Sequence, residues 1–148
     1  MPKAEKVFLI NKPIETVWDF LSDMVKVGSC LPGCEKVQVL SETESEWTVK
    51  VKVGPISKTI QARARATDFQ PPQRAAFEAE SPELRLEGSM DLRAVSPEQT
   101  EVTYRSVVKG KGSLEKLVGQ IMAGRLDSDA EEFAANVRRR LEGVESAS

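Results

Sequence analysis

The sequence predicts an α+β chain in which a curved antiparallel sheet wraps one long C-terminal helix, and three observations lead there. Between Trp47 and Val108 apolar and polar residues alternate with the period of a strand, over segments spaced so closely that neighbours can only be antiparallel. The inward set of one segment, Ile60, Ala62, Ala64 and Ala66, carries little side-chain bulk. A sheet built on it leaves space that another element or a ligand must fill. From Ser113 to about Glu142 the spacing becomes helical, with Leu114, Leu117, Val118, Ile121, Met122, Leu126, Phe133, Val137 and Leu141 on one face.

Taken in order, residues 5–11 read as a strand that is apolar on both faces at its centre. Pro13 then stands at or near the first turn of a short helix, where its missing N–H costs least. Ile14, Val17, Trp18 and Leu21 share one side of that helix, flanked by Phe20 and Met24. Residues 27–35 read as irregular, because Pro32-Gly33 forces a turn. Six strands follow, at about 36–42, 46–54, 58–69, 73–80, 84–95 and 99–110, punctuated by Gly54-Pro55, Gln70-Pro71-Pro72 and Ser96-Pro97-Glu98. With the first strand they make a seven-stranded sheet, whose convex face is kept wet by Lys50, Lys52, Arg63, Arg65, Glu87 and Arg93. Ser113 is a plausible helix N-cap without a capping box, since Lys116 stands where glutamate would complete one. Gly119 and Gly124 weaken the helix locally. Residues 1–148 read as one domain, with 143–148 a frayed tail.

Composition narrows the chemistry. The chain has no histidine, which removes Ser-His-Asp and Cys-His nucleophile pairs, imidazole bases and most zinc sites. Its 21 basic and 23 acidic residues give a net charge of -2, so a nucleic-acid partner is not expected. No apolar run approaches the roughly 18 residues of a membrane span, and the N-terminus lacks the pattern of a signal peptide. The expected location is the cytoplasm. Cys30 and Cys34 with no third thiol do not complete a structural zinc site. They read either as a tight, partly buried turn gating the cavity or as a redox-sensing or partner-docking pair.

The segment Cys30-Leu31-Pro32-Gly33-Cys34, together with Thr100-Glu101-Val102-Thr103-Tyr104 and Gly110-Lys111-Gly112-Ser113-Leu114, resembles the carbon monoxide dehydrogenase G-subunit family. That family belongs to the helix-grip superfamily, with START lipid-transfer domains and polyketide cyclases. The resemblance implies a deep apolar cavity between sheet and helix. It also implies a non-catalytic accessory role beside molybdenum hydroxylase subunits, with recruitment to the inner face of the cytoplasmic membrane by a transient surface contact. No covalent or metal cofactor is implied; the bound molecule is a lipophilic quinone or lipid.

The residues expected to line that cavity are Trp18, Leu31, Gly33, Trp47, Phe77, Leu86, Met90, Tyr104, Ser106, Val118 and Met122. Tyr104, the single tyrosine, reads either as a hydrogen-bond donor to a ligand carbonyl or as a core residue bonded to nearby backbone. Asp127, Asp129, Glu131 and Glu132 read either as a solvated face or as a docking surface for a basic partner, and Arg138-Arg139-Arg140 either as cations complementing the end of the last helix or as a docking patch for anionic lipid headgroups or an acidic partner. No catalytic residue is assigned and no metal ligand. Two other functions remain open: a cyclase or aromatase on the same fold, and an interaction module whose own side chains fill the cavity.

Overall fold

The computed structural model describes residues 3–53, 55–112, 115–116, 120 and 125–143. Its elements are β1 (Lys3–Ile10), α1 (Ile14–Leu21), α2 (Met24–Cys30), β2 (Cys34–Val39), β3 (Glu44–Val53), β4 (Ile56–Gln70), β5 (Arg74–Glu80), β6 (Leu84–Ser96), β7 (Gln99–Gly110) and α3 (Leu126–Glu142). The strands form one seven-stranded sheet in the order β1-β7-β6-β5-β4-β3-β2. Every pairing is antiparallel, so the chain meanders from β2 to β7 and the first strand closes beside the last.

Alternation decides which side chains face inward. On β1, Ala4, Phe8 and Ile10 are buried, while Val7 and Leu9 point outward and are exposed, which accounts for the apolar character of both faces. On the convex side, cross-strand ion pairs join Arg63 to Glu44, Arg65 and Arg85 to Glu78, and Arg74 to Asp68 and Asp91. Pairs this close to solvent set register more than stability. Helix α3 covers the concave face with Leu126, Ala130, Phe133, Ala134 and Val137, an i, i+4, i+7, i+8, i+11 stripe.

Residues 24–30 form helix α2, which takes in the first four residues, 27–30, of the stretch expected to be irregular. The Asp23 carboxylate caps it, accepting from the backbone N–H groups of Val25 and Lys26. Gly28 and Ser29 are weak helix formers, and packing overrides them: a Cβ on Gly28 would lie 2.4 Å from the Val37 side chain and 3.2 Å from the Trp47 ring. Asn136 of α3 donates to the Cys30 carbonyl at 2.9 Å, tying the end of α2 to the long helix. The helix that begins at Leu126 has no side-chain cap at Arg125. The expected Ser113 cap, the Gly119 and Gly124 positions and the tail beyond Gly143 lie outside the described residues.

The turn between α2 and β2 depends on Gly33. Its φ of +81° is left-handed, and an added Cβ would sit 2.6 Å from the Lys50 carbonyl oxygen, while its own carbonyl accepts from the Lys50 N–H at 2.8 Å. Gly33→Ala is therefore expected to destabilise the protein by more than the ~1–2 kcal/mol cost of a left-handed non-glycine residue, because backbone must also shift. Urea denaturation of the two proteins measures this; equal midpoints would refute it.

Candidate functional site

The fourth and fifth strands put small side chains in the middle of the concave face. Trp47 lies opposite Ala62, Ala64 opposite Ala79, and Ala79 opposite Leu86, which in turn faces Val108. Phe77 fills part of the gap by leaning over its neighbour Gly88, where a Cβ would fall 2.5 Å from the ring. What remains between sheet and α3 is a cavity of about 170 Å³. Its walls come from Trp47, Val49 and Val51 of β3, Ile60, Ala62 and Ala64 of β4, Phe77 and Ala79 of β5, Leu84 and Leu86 of β6, and Tyr104, Ser106 and Val108 of β7. Leu31, Pro32 and Cys34 contribute from the turn after α2, and Arg125, Leu126, Asp129 and Ala130 from the start of α3.

Of the residues expected to line it, Leu31, Trp47, Phe77, Leu86, Tyr104 and Ser106 do so. Three do not. Trp18 packs on Phe69 at the far end of β4, with ring centroids 5.1 Å apart; its helix face is apolar as expected, but α1 sits over the other end of the sheet. Met90 points inward yet is buried within the core beside Ala75 and Tyr104. Gly33 gives its backbone to Lys50, so it positions Leu31 and Pro32 rather than facing the cavity itself. Val118 and Met122 lie outside the described residues.

Polar groups gather on one side, where β7 meets α3. Tyr104 is buried, its ring tilted against Phe133 at 4.8 Å, and Ser106 follows two residues along on the same inward face. Burial pushes the phenol above the ordinary tyrosine range, the nearby Ser106 hydroxyl pulls it back, and the Asp129 charge raises it further. Asp129 is the residue that pattern reasoning missed. Asp127, Glu131 and Glu132 are exposed as expected of a solvated face, whereas Asp129 is half-buried and lines the cavity. Burial raises its carboxyl above the usual carboxylate range, Arg125 one turn earlier lowers it, and Glu132 raises it. The available signal was its spacing of one residue before the buried Ala130 and four before Phe133, which turns it toward the sheet.

The remaining candidates have structural partners. Cys30 is a buried free thiol and Cys34 a half-buried one, and burial pushes both above the ordinary thiol range. Trp47 donates its indole N–H to Ser45 Oγ at 2.8 Å. Arg140 donates to Ser29 Oγ at 2.6 Å and stacks over Phe20 at 5.4 Å, while Arg139 bonds Asn136. Arg140 thus braces α3 against α1 and α2, and Arg139 holds the Asn136 amide that reaches Cys30.

The cavity, its polar corner and the turn that walls it coincide with a family match: the model of CoxG, the G subunit of carbon monoxide dehydrogenase, fits residues 7–142. The chain belongs to that family. No curated protein matches it in sequence. Among solved structures it is similar to a conserved protein from Geobacillus kaustophilus, with 18% identity, a TM-score of 0.81 and 95% of each chain covered. A START superfamily protein from Mycobacterium smegmatis aligns with 13% identity and a TM-score of 0.76, over 96% of this chain and 98% of that one. The Zhui aromatase/cyclase from a Streptomyces species aligns with 15% identity and a TM-score of 0.70, over 95% and 93%. At these identities the likeness establishes the helix-grip fold. The Leu31-Pro32-Gly33 turn, one of the segments that carry the resemblance to CoxG, holds two wall residues of the cavity.

Two outcomes check this electrostatic picture. Because Tyr104 is the single tyrosine, ultraviolet titration isolates it, and no phenolate absorbance is expected until pH passes well beyond the ordinary tyrosine range. Its raised folded pKa contributes stability that is complete below the unfolded value and is lost as pH climbs through the folded one. A phenolate signal at the ordinary tyrosine value in folded protein would contradict this. Both thiols should react slowly with iodoacetamide at neutral pH and quickly after denaturation; fast native labelling at either would contradict their burial.

Proposed function

We propose that the protein is a non-catalytic carrier that holds one lipophilic small molecule, quinone-like or lipid, in the cavity between sheet and helix. In this role it assists a molybdenum hydroxylase of the carbon monoxide dehydrogenase type, including its recruitment to the membrane. The observation that carries the reading is the cavity of about 170 Å³ lined by alanine, valine, leucine and aromatic side chains. Apolar surface removed from water contributes about 25 cal/mol per Å², so a ring with an aliphatic tail needs few polar contacts to bind. Membership of the CoxG family supports the choice of enzyme partner.

Membrane recruitment finds support on α2. Val25 is 52% exposed there, beside Lys26, whose ammonium lies over the Phe20 ring, with Arg140 on the same side through Ser29. An exposed apolar side chain on a helix that also presents Lys26 and holds Arg140 suits an anionic lipid surface. Among the described residues no helix is long and apolar enough to cross a membrane.

Native mass spectrometry followed by organic extraction tests the carrier reading. A lipophilic molecule at near-stoichiometric amount is expected. Ala64→Phe places a ring on the cavity wall and should weaken uptake at least about tenfold, the equivalent of ~1.4 kcal/mol, with the circular dichroism of the folded protein retained. Protein that emerges empty and binds no added quinone or lipid would leave the interaction-module reading in its place.

A further inference from the structure

The cavity of about 170 Å³ is close to the size of engineered protein cavities of ~150 Å³ that accept a single benzene. It therefore has room for one ring and leaves any tail to follow the opening. A ring placed there meets apolar walls on the β3, β4, β5 and β6 sides. Among the described residues, its oxygen substituents find side-chain N–H or oxygen partners where β7 meets α3, at Tyr104, Ser106, Arg125 and Asp129. Lys50 belongs to the wall as well, but its side chain is exposed on the other face of β3.

The chemistry of that polar corner is asymmetric. The Tyr104 and Ser106 hydroxyls can each donate or accept, so they serve a ligand hydroxyl and a ligand carbonyl alike. An ionised carboxylate can only accept, so Asp129 calls for a donor, and a ligand hydroxyl supplies one. A ligand carbonyl offers only lone pairs to an acceptor and gains nothing from it. An anionic ligand head beside Asp129 would put two like charges together in a partly buried site.

We propose that Asp129 is the specificity-determining residue of the cavity, and that it selects ligands whose ring carries a hydroxyl, such as a hydroquinone or phenol, over the corresponding quinone and over fatty carboxylates. This rests on the carrier reading above and adds the oxidation state of its cargo. The protein would hold the reduced form of a redox pair more tightly than the oxidised form. No electron transfer is assigned to it.

Isothermal titration under anaerobic conditions tests the proposal with durohydroquinone and duroquinone, single rings that are fully substituted and so do not alkylate Cys34, and with dodecanoate. The native protein is expected to bind durohydroquinone about tenfold more tightly than duroquinone, the scale of one hydrogen bond to a charged acceptor. Dodecanoate should bind at least as weakly as the quinone. In Asp129→Asn, whose amide donates as well as accepts, the preference should shrink to within about twofold; Asp129→Ser gives the same readout should the amide variant fail to fold. Equal binding of both duroquinone forms, or a preference that survives in Asp129→Asn, would overturn the selection by Asp129 and leave the carrier reading standing. Failure of all three probes to bind would bring down both.

Discussion

The structure depends on the registration of alanines across the centre of the sheet. Ala62 lies opposite Trp47, and Ala64 lies opposite Ala79, which lies opposite Leu86; a one-residue slip of β4 would send its alanines outward and Arg63 and Arg65 inward. The convex ion pairs lock that register from the other side, since Arg63, Arg65, Arg74 and Arg85 meet carboxylates on adjacent strands only in this alignment. The hollow is thus specified twice, once by what is small inside and once by what is charged outside.

The helices finish the enclosure by different means. Helix α3 packs chiefly against β1 and α2, and its buried stripe reaches Tyr104 through Phe133. At the opposite edge the short turn from Cys30 to Cys34 is held by the paired Gly33 and Lys50 backbones, and by the Asn136 amide on the Cys30 carbonyl. The edge strand β2, the turn and the long helix are therefore mechanically linked around the cavity, so that any movement of Leu31 and Pro32 is felt at α3.

Much of this was legible in the residues. Period-two alternation is a strong signal when Arg63 and Arg65 alternate with Ala62 and Ala64, and it placed all seven strands within a few residues of their ends. The cavity wall was legible for the same reason: Trp47, Phe77, Leu86, Tyr104 and Ser106 each fall on the inward phase of a strand. What failed was position along the strand. Alternation says which face a residue takes and nothing about which end of the sheet it occupies, so Met90, inward on β6 beside Tyr104, falls just past the wall; the apolar face of α1 likewise says nothing of which end of the sheet it covers, and Trp18 lands on Phe69. Helix α2 was hidden because its stability comes from the Asp23 cap and from Gly28 seating on Val37, contacts that only tertiary structure supplies. Asp129 was hidden by its acidic neighbours, whose composition reads as solvated surface.

A hollow core carries an energetic cost that explains why its polar corner matters. With about 24 cal/mol lost per Å³ of unfilled volume, space of about 170 Å³ amounts to ~4 kcal/mol, a large part of the roughly 5–15 kcal/mol by which domains of this kind are stable. A sequence optimised for stability alone would replace Ala64 or Ala79 with a larger side chain and place an apolar residue at position 129, where burial already disfavours the charged carboxyl. Both departures from a well-packed core lie on the same cavity. A ligand that fills the volume and donates to Asp129 recovers the two losses together, and its binding free energy then adds to the stability of the fold. The small residues of β4 and β5 and the carboxyl of α3 thus face one another across the same cavity.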